Sequence, residues 1–210
     1  MKKLVMIFSI AIISLIYPVR SYAITRYILS DGKVYYENLR NRSEIEGADI
    51  QTFKNLDYFY AKDKNNVYYY GEKLNGVDPV TFKILDYSYT KDKNFVYHYR
   101  DRLDGVDPLT FKILDHDYAK DKNNVYYNLE ILAGADSASF KILNFSYAKD
   151  KNNVYYNGNK IENGDPATFK ILDIDYTKDK NSVYYIGKKI DGANPADFKI
   201  LDPSWYLFYK

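Results

Sequence analysis

His98 and His116 are the two histidines of the sequence, and they are its first candidates for acid–base catalysis or metal binding near neutral pH. No Gly-x-Ser-x-Gly nucleophile elbow and no His-Glu-x-x-His zinc motif accompanies them. The sequence has no Cys, which excludes thiol nucleophiles, disulfides and cysteine-based zinc sites. If the protein is an enzyme, we expect a hydrolase-type site in the diverged stretch that contains these two histidines.

Oxygen ligands for a cation are the next possibility. The segment 63–66, Asp-Lys-Asn-Asn, resembles the start of a calcium loop because its Asp and Asn side chains carry oxygen donors. However, no Gly stands at the sixth position of such a loop, Leu74 replaces the Glu of the twelfth, and Lys64 places a positive charge in the middle. The composition instead favours a tight turn held by its own side-chain hydrogen bonds.

Pairs of carboxylates could hydrolyse glycosides, but the acidic residues recur at fixed places along the chain. A catalytic pair should instead be peculiar to one place. The recurring acids that we interpret as helix caps are Asp78, Asp107, Asp136 and Asp165. The sequence therefore gives no catalytic, cofactor-binding or metal-binding residue, and we expect a protein that is not an enzyme.

The recurrence has a strict period. The string Asp-Lys-Asn returns every 29 residues, and the string Phe-Lys follows the same step, which is typical of a tandem-repeat architecture. We expect a single repeat domain over residues 24–210 with about six copies, of which the first is degenerate, and a C-terminal cap at 202–210. The copies cover approximately 24–56, 57–85, 86–114, 115–143, 144–172 and 173–201.

Each copy has the pattern of a small β-meander. Aromatic residues at the Tyr60 position alternate with polar ones, which predicts a half-buried strand. Segment 63–66 then forms a hairpin bend, Val67 begins the return strand, and Gly71 allows a second turn into a short strand. The segment 78–85, Asp-Pro-Val-Thr-Phe-Lys-Ile-Leu, predicts one or two helical turns.

These elements predict a mainly β fold with short helical turns, arranged as an open solenoid-like array. The atypical first copy and the apolar end of the chain fit the capping repeats of an open array. A six-bladed small propeller is the alternative, although 29 residues is short against the ~40–45 of a familiar blade.

Tyrosine is the unusual component, with 25 residues in the chain. In each Val-Tyr-Tyr strand the two Tyr side chains point to opposite faces, so one can pack between copies while the other lines an exposed strip. The second Tyr of each strand is our candidate ligand contact for a protein or glycan. This tyrosine column consists of Tyr69, His98, Tyr127, Tyr156 and Tyr185. His98 thus occupies a Tyr position, and His116 occupies the position of Tyr58 and Phe145 in other copies.

The repeated run that starts at Lys62, Lys-Asp-Lys-Asn-Asn-Val-Tyr-Tyr, together with Asp-Pro-x-Thr-Phe-Lys, resembles the DKNYY family of bacterial repeat proteins. The resemblance covers roughly residues 27–205. It implies a repeat protein of unknown function and supplies no activity, cofactor or catalytic residue.

Residues 1–23 have the pattern of a secretory signal peptide, with Lys2 and Lys3 before an apolar run and a Ser-Tyr-Ala cleavage signal at its end. Removing Lys2, Lys3 and Arg20 leaves 27 basic residues against 28 acidic ones, which argues against nucleic-acid binding. We expect an exported protein, periplasmic or extracellular, with no membrane span after cleavage, that serves as a binding or structural module at the cell envelope.

Overall fold

The computed structural model describes residues 25–201, except 87 and 116. The predicted signal peptide and the predicted cap at 202–210 lie outside the described residues, and so does His116. All regular structure in the described range is β, in 23 strands that group into six small antiparallel sheets. The chain divides into two compact units, one up to residue 82 and one from residue 83.

The first unit contains two sheets. Each is a meander in which strands adjacent in sequence pair with one another. The three-stranded sheet consists of β1 Arg26–Ser30, β2 Lys33–Glu37 and β3 Arg42–Glu44. The four-stranded sheet consists of β4 Lys54–Asn55, β5 Tyr60–Lys62, β6 Val67–Tyr69 and β7 Glu72–Leu74.

The second unit contains four sheets of four strands, each built like the second sheet of the first unit. Their strands are β8 Lys83–Ile84, β9 Tyr89–Lys91, β10 Val96–His98 and β11 Asp101–Leu103; β12 Lys112–Ile113, β13 Tyr118–Lys120, β14 Val125–Tyr127 and β15 Glu130–Ile131; β16 Lys141–Ile142, β17 Tyr147–Lys149, β18 Val154–Tyr156 and β19 Asn159–Lys160; and β20 Lys170–Ile171, β21 Tyr176–Lys178, β22 Val183–Tyr185 and β23 Lys188–Lys189. The mainly β tandem-repeat fold is therefore confirmed.

The segment predicted to make helical turns is a single turn followed by a strand. Asp78 begins the turn, since its carboxylate accepts hydrogen bonds from the Val80 amide and the Thr81 hydroxyl. One bond from Phe82 N to Asp78 O, 3.0 Å, closes the turn. In the second unit the residues that follow, Lys83 and Ile84, pair with β9. A nascent helix of one turn gains too little to propagate, whereas the strand gains a ladder partner.

The core of each sheet is aromatic. In the second unit, Phe140 packs its ring 5.4 Å from Tyr118 of its own copy and 5.8 Å from Tyr155 of the next copy. All three side chains are at most 5% exposed. The Gly158 amide of that next copy also donates a 3.0 Å hydrogen bond to the Tyr118 hydroxyl. Neighbouring copies thus complete each other's core, as expected for repeats too small to fold alone.

Candidate functional site

Asp63 stands at the start of the hairpin turn and is the centre of a hydrogen-bond cluster. One carboxylate oxygen accepts from the Asn65 and Asn66 amides, both at 2.7 Å. The other accepts from the Asp49 amide at 2.8 Å and from the Tyr68 hydroxyl at 2.7 Å. The carboxylate therefore holds the turn, the strand that follows it and the preceding segment together.

This cluster changes the acidity of its members. Burial by itself favours the protonated carboxyl, but the hydrogen bonds outweigh it and lower the pKa of Asp63. Burial, and then the hydrogen bond to Asp63, raise the pKa of Tyr68 to about 12. The phenol is therefore a neutral donor and the aspartate a charged acceptor over the whole physiological range.

The same cluster recurs in the later copies. The aspartates that bind the turn amides and the Tyr hydroxyl are Asp92, Asp121, Asp150 and Asp179. Each is at most 4% exposed. The prediction of a self-bonded turn is confirmed, and the most distinctive residues of the repeat serve folding.

The tyrosine column lies at the contact between successive copies of a unit. The ring of Tyr127 fills the space that a Cβ atom at Gly158 would need, and a Cβ at Gly187 would lie 2.6 Å from Cγ of Tyr156. Position 158 and position 187 are equivalent by the 29-residue step. Glycine is thus required there both by this close approach and by its positive φ of 72° and 73°.

His98 follows from the same packing. By the 29-residue step, His98 is equivalent to Tyr127 and Leu129 is equivalent to Gly158. The copy with the smaller ring thus precedes the copy in which Leu129 carries a Cβ, whereas Tyr127 and Tyr156 precede copies with glycine at this position. Arg100 is the second non-glycine residue at this position, and it follows the copy of Tyr69. The His98 ring lies between Tyr89 and Tyr99, with centroids at 5.1 and 4.4 Å. The ring contacts and the Leu129 position support a packing role for His98.

Two open clefts border the tyrosine column in the second unit. One has a volume of about 370 Å³ and is lined by Tyr127, Ile131, Asn157 and Asn159, among others. The other, about 490 Å³, is lined by Tyr185, Ile186 and Lys188–Ile190. Tyr185 is 43% exposed, whereas Tyr69, His98, Tyr127 and Tyr156 are half-buried. The column is therefore partly exposed to solvent, and its role as a ligand contact stays a prediction.

A second type of cleft was missed by the sequence reasoning, and we call it the lysine cleft. In the first unit it has a volume of about 350 Å³ and is lined by Thr52, Lys54, Lys62, Lys64 and Pro79, among others. In the second unit an equivalent cleft of about 270 Å³ is lined by Ser139, Lys141, Lys149, Lys151 and Pro166, among others. The signal was present in the sequence, because the Lys of each Phe-Lys string marks this position.

Each lysine of the cleft has a different environment. Lys62 on β5 donates a 2.7 Å hydrogen bond to the Pro79 carbonyl, and Lys149 makes the equivalent bond to Pro166. Lys64 forms a 2.6 Å ion pair with Asp49. Lys54 is exposed and lies directly across the strand pair from Lys62.

The described residues contain no group of His, Asp and Glu arranged to hold a metal ion. Within residues 25–201, apart from 87 and 116, no helix has the length and apolar character that crossing a bilayer requires.

Comparison with known proteins places the chain in a family. No curated protein and no solved structure matches it. The family model of the DKNYY family matches residues 27–159 and again 147–210. The matched regions cover nearly all of the repeats, including every hydrogen-bonded Asp-Tyr cluster described above. The chain therefore belongs to the DKNYY family.

Proposed function

We propose that this DKNYY protein is an exported tandem-repeat binding module of the cell envelope that holds an extended ligand through several equivalent clefts at once. The observation that carries the proposal is the recurrence of one cleft, lined by equivalent residues, in two units of the chain. The cleft around Lys54 and the cleft around Lys141 are three repeats apart.

Equivalent sites favour multivalent binding over catalysis. An enzyme needs one site with residues that depart from the repeat, and His98, the described histidine, packs its ring against Tyr89 and Tyr99. Weak contacts made along one ligand add up to strong binding because each later contact is intramolecular. The pattern of residues 1–23 supports export, and the tyrosine column is a second surface that such a ligand could contact.

Glycan-array and pull-down screening of the secreted chain, residues 24–210, tests this proposal. For any ligand found, affinity should rise about tenfold or more when a one-site oligomer is replaced by one that spans several repeats. An affinity independent of length would contradict the multivalent proposal, and recovery of no ligand would favour a structural role. N-terminal sequencing of the exported chain should give Ile24 as its first residue.

A further inference from the structure

The lysine row is defined as the exposed Lys of each Phe-Lys string. It comprises Lys54, Lys83, Lys112, Lys141, Lys170 and Lys199, and each is exposed. The exposed Lys64 and Asn65 positions also keep their residues, but these are accounted for by the ion pair with Asp49 and by the hairpin turn. Several other exposed positions vary between copies. At the Glu72 position, on the strand at the other edge of each sheet, the residues are Glu72, Asp101, Glu130, Asn159 and Lys188. An exposed position that keeps one residue through six copies needs a specific reason.

Stability of the sheet does not supply that reason. In each four-stranded sheet the row lysine lies directly opposite another lysine, as in Lys54 with Lys62 and Lys141 with Lys149. Like charges at directly opposed positions destabilise an antiparallel pair, and an acidic residue there would attract the second lysine instead. A charge on an edge strand, especially that of Lys, also prevents unwanted pairing between sheets, but the opposite edge strands of these sheets carry charges of either sign, as at Glu72 and Lys188.

The second lysine of each pair, which we call the inner lysine, has a structural role that the row lysine lacks. Its ammonium donates to a backbone carbonyl 17 residues later, at 2.6–2.8 Å in all five sheets. This bond fixes the position of the second ammonium at the cleft. The fold thus requires the inner lysine, and the row lysine adds a further positive charge beside it.

Nearby acids compensate these charges only in part. Asp63 is 3% exposed and its carboxylate is occupied by amide and phenol donors. Asp49 pairs with Lys64. The residues that line the cleft of the first unit include three lysines and one aspartate, and those of the equivalent cleft include the same numbers. Each cleft is therefore a local positive site on a chain that is nearly neutral after export.

The remaining wall of the cleft is apolar. Pro79 and Val80 line it in the first unit, and Pro166 and Ala167 line it in the second. Val80 is 80% exposed. Ammonium groups beside a small apolar wall suit a ligand with anionic groups on a chain that has aliphatic faces. A site that recurs in successive copies suits a ligand in which the anionic group also recurs.

We propose that the lysine row binds an extended anionic glycopolymer, a chain of sugars or polyols with a phosphate or carboxylate on each repeating unit. This inference rests on the proposed function and specifies its ligand class. Nucleic acid is a poorer occupant because its binding depends on a broadly basic surface, which this chain lacks.

The test uses residues 24–210 and three polymers of matched length: poly(glycerol phosphate), polygalacturonate and neutral dextran. We expect binding to one or both anionic polymers, weakening with added salt, and none to dextran. Comparing the two anionic polymers distinguishes phosphate from carboxylate. Equal or tighter binding of single-stranded DNA of the same charge would overturn the assignment to a glycopolymer.

A charge-reversal variant, with Lys83, Lys112, Lys141 and Lys170 each replaced by Glu, isolates the row. Its affinity for the anionic polymer should fall about tenfold or more, while circular dichroism and thermal unfolding show a fold at least as stable, since each Glu can pair with the lysine opposite. The matched control replaces two exposed lysines at the other sheet edge, Lys73 and Lys160, by Glu. It is compared with the row double variant Lys54→Glu and Lys141→Glu, which makes the same change of charge in the two described lysine clefts.

The outcomes separate the two proposals. Equal losses in the row double variant and the control variant would mean non-specific attraction and would overturn the inference. Binding of a neutral polymer that the row variant retains would also overturn it, but would leave the multivalent binding module standing. Loss in the row variant alone, with a stable fold, supports both proposals.

Discussion

Replacing His98 by Tyr should destabilise the second unit, and replacing Leu129 by Gly in the same chain should restore it. The ring of Tyr127 occupies the space of a Cβ at Gly158, and a Cβ at Gly187 would lie 2.6 Å from Tyr156 Cγ. In the copy that follows that of His98 this Cβ exists, because Leu129 stands at the glycine position. A tyrosine packed there in the same way must displace its neighbours, and overpacking of this kind costs about 1–3 kcal/mol.

The single change Leu129→Gly should be nearly neutral. Leu129 has φ of +72°, which strains an L residue, and relief of that strain is worth about 1–2 kcal/mol. The added backbone freedom of Gly in the unfolded chain offsets about 0.5–1 kcal/mol of this gain. Since Leu129 is 40% exposed, its lost contacts offset much of the rest.

A double-mutant cycle measures the interaction. Urea unfolding followed by circular dichroism is recorded for the natural chain, His98→Tyr, Leu129→Gly and the double variant. The double variant recreates the pair seen at Tyr127 and Gly158, so we expect a favourable coupling of about 1–3 kcal/mol. Additive effects, with a coupling below about 0.5 kcal/mol, would refute the packing explanation of His98.

Three further predictions concern the residues that hold each copy together. Gly187→Ala should destabilise the fold by about 2–4 kcal/mol in thermal or urea unfolding, because it adds a collision with Tyr156 to the strain of φ +73°. The control Gly192→Ala, with φ of +76° and open space around it, should destabilise the fold by only about 1–2 kcal/mol, and equal losses in the two variants would contradict the close approach. Asp150→Ala should lower the free energy of unfolding by about 3 kcal/mol or more, since it leaves the Tyr155 hydroxyl and the amides of Asn152 and Asn153 without their acceptor. A decrease below about 1 kcal/mol in urea unfolding would show that water replaces the carboxylate. Raising the pH should unfold the chain from about pH 10 upward, because burial raises the pKa of Tyr118 and of Tyr126 to about 12. The stability that these neutral phenols contribute is complete below the unfolded pKa of 10.0 and is lost as the pH rises toward 12. Tyrosine ionisation followed by ultraviolet absorbance should coincide with loss of circular dichroism, and full ionisation at pH 10 in a folded chain would contradict the burial.

The hairpin of each copy could be predicted from the sequence because its determinants are local. Asp63 accepts hydrogen bonds from amides two and three residues away and from a phenol five residues away, so these bonds of the cluster lie within the segment 63–68. The sequence also predicted that one Tyr of each Val-Tyr-Tyr strand is buried, because the two side chains point to opposite faces of the strand.

Features that depend on longer-range pairing could not be predicted in the same way. Strand β4 has two residues, Lys54 and Asn55, and its pairing with β5 outweighs the helical tendency suggested by the turn before it. The opposition of Lys54 and Lys62 becomes visible only when this register is known. The reason for His98 lies 31 residues later, at Leu129, in the next copy.

Identity between copies has two possible causes in a repeat protein, namely a shared packing requirement or a ligand that is itself periodic. The buried Asp63, Tyr68 and Phe82 positions are accounted for by hydrogen bonds and core contacts. The Lys62 position is accounted for by its bond to a backbone carbonyl. The row lysine opposite it has an electrostatic cost, and its side chain makes no described bond that accounts for it, so a periodic anionic ligand is the explanation that its sixfold recurrence favours.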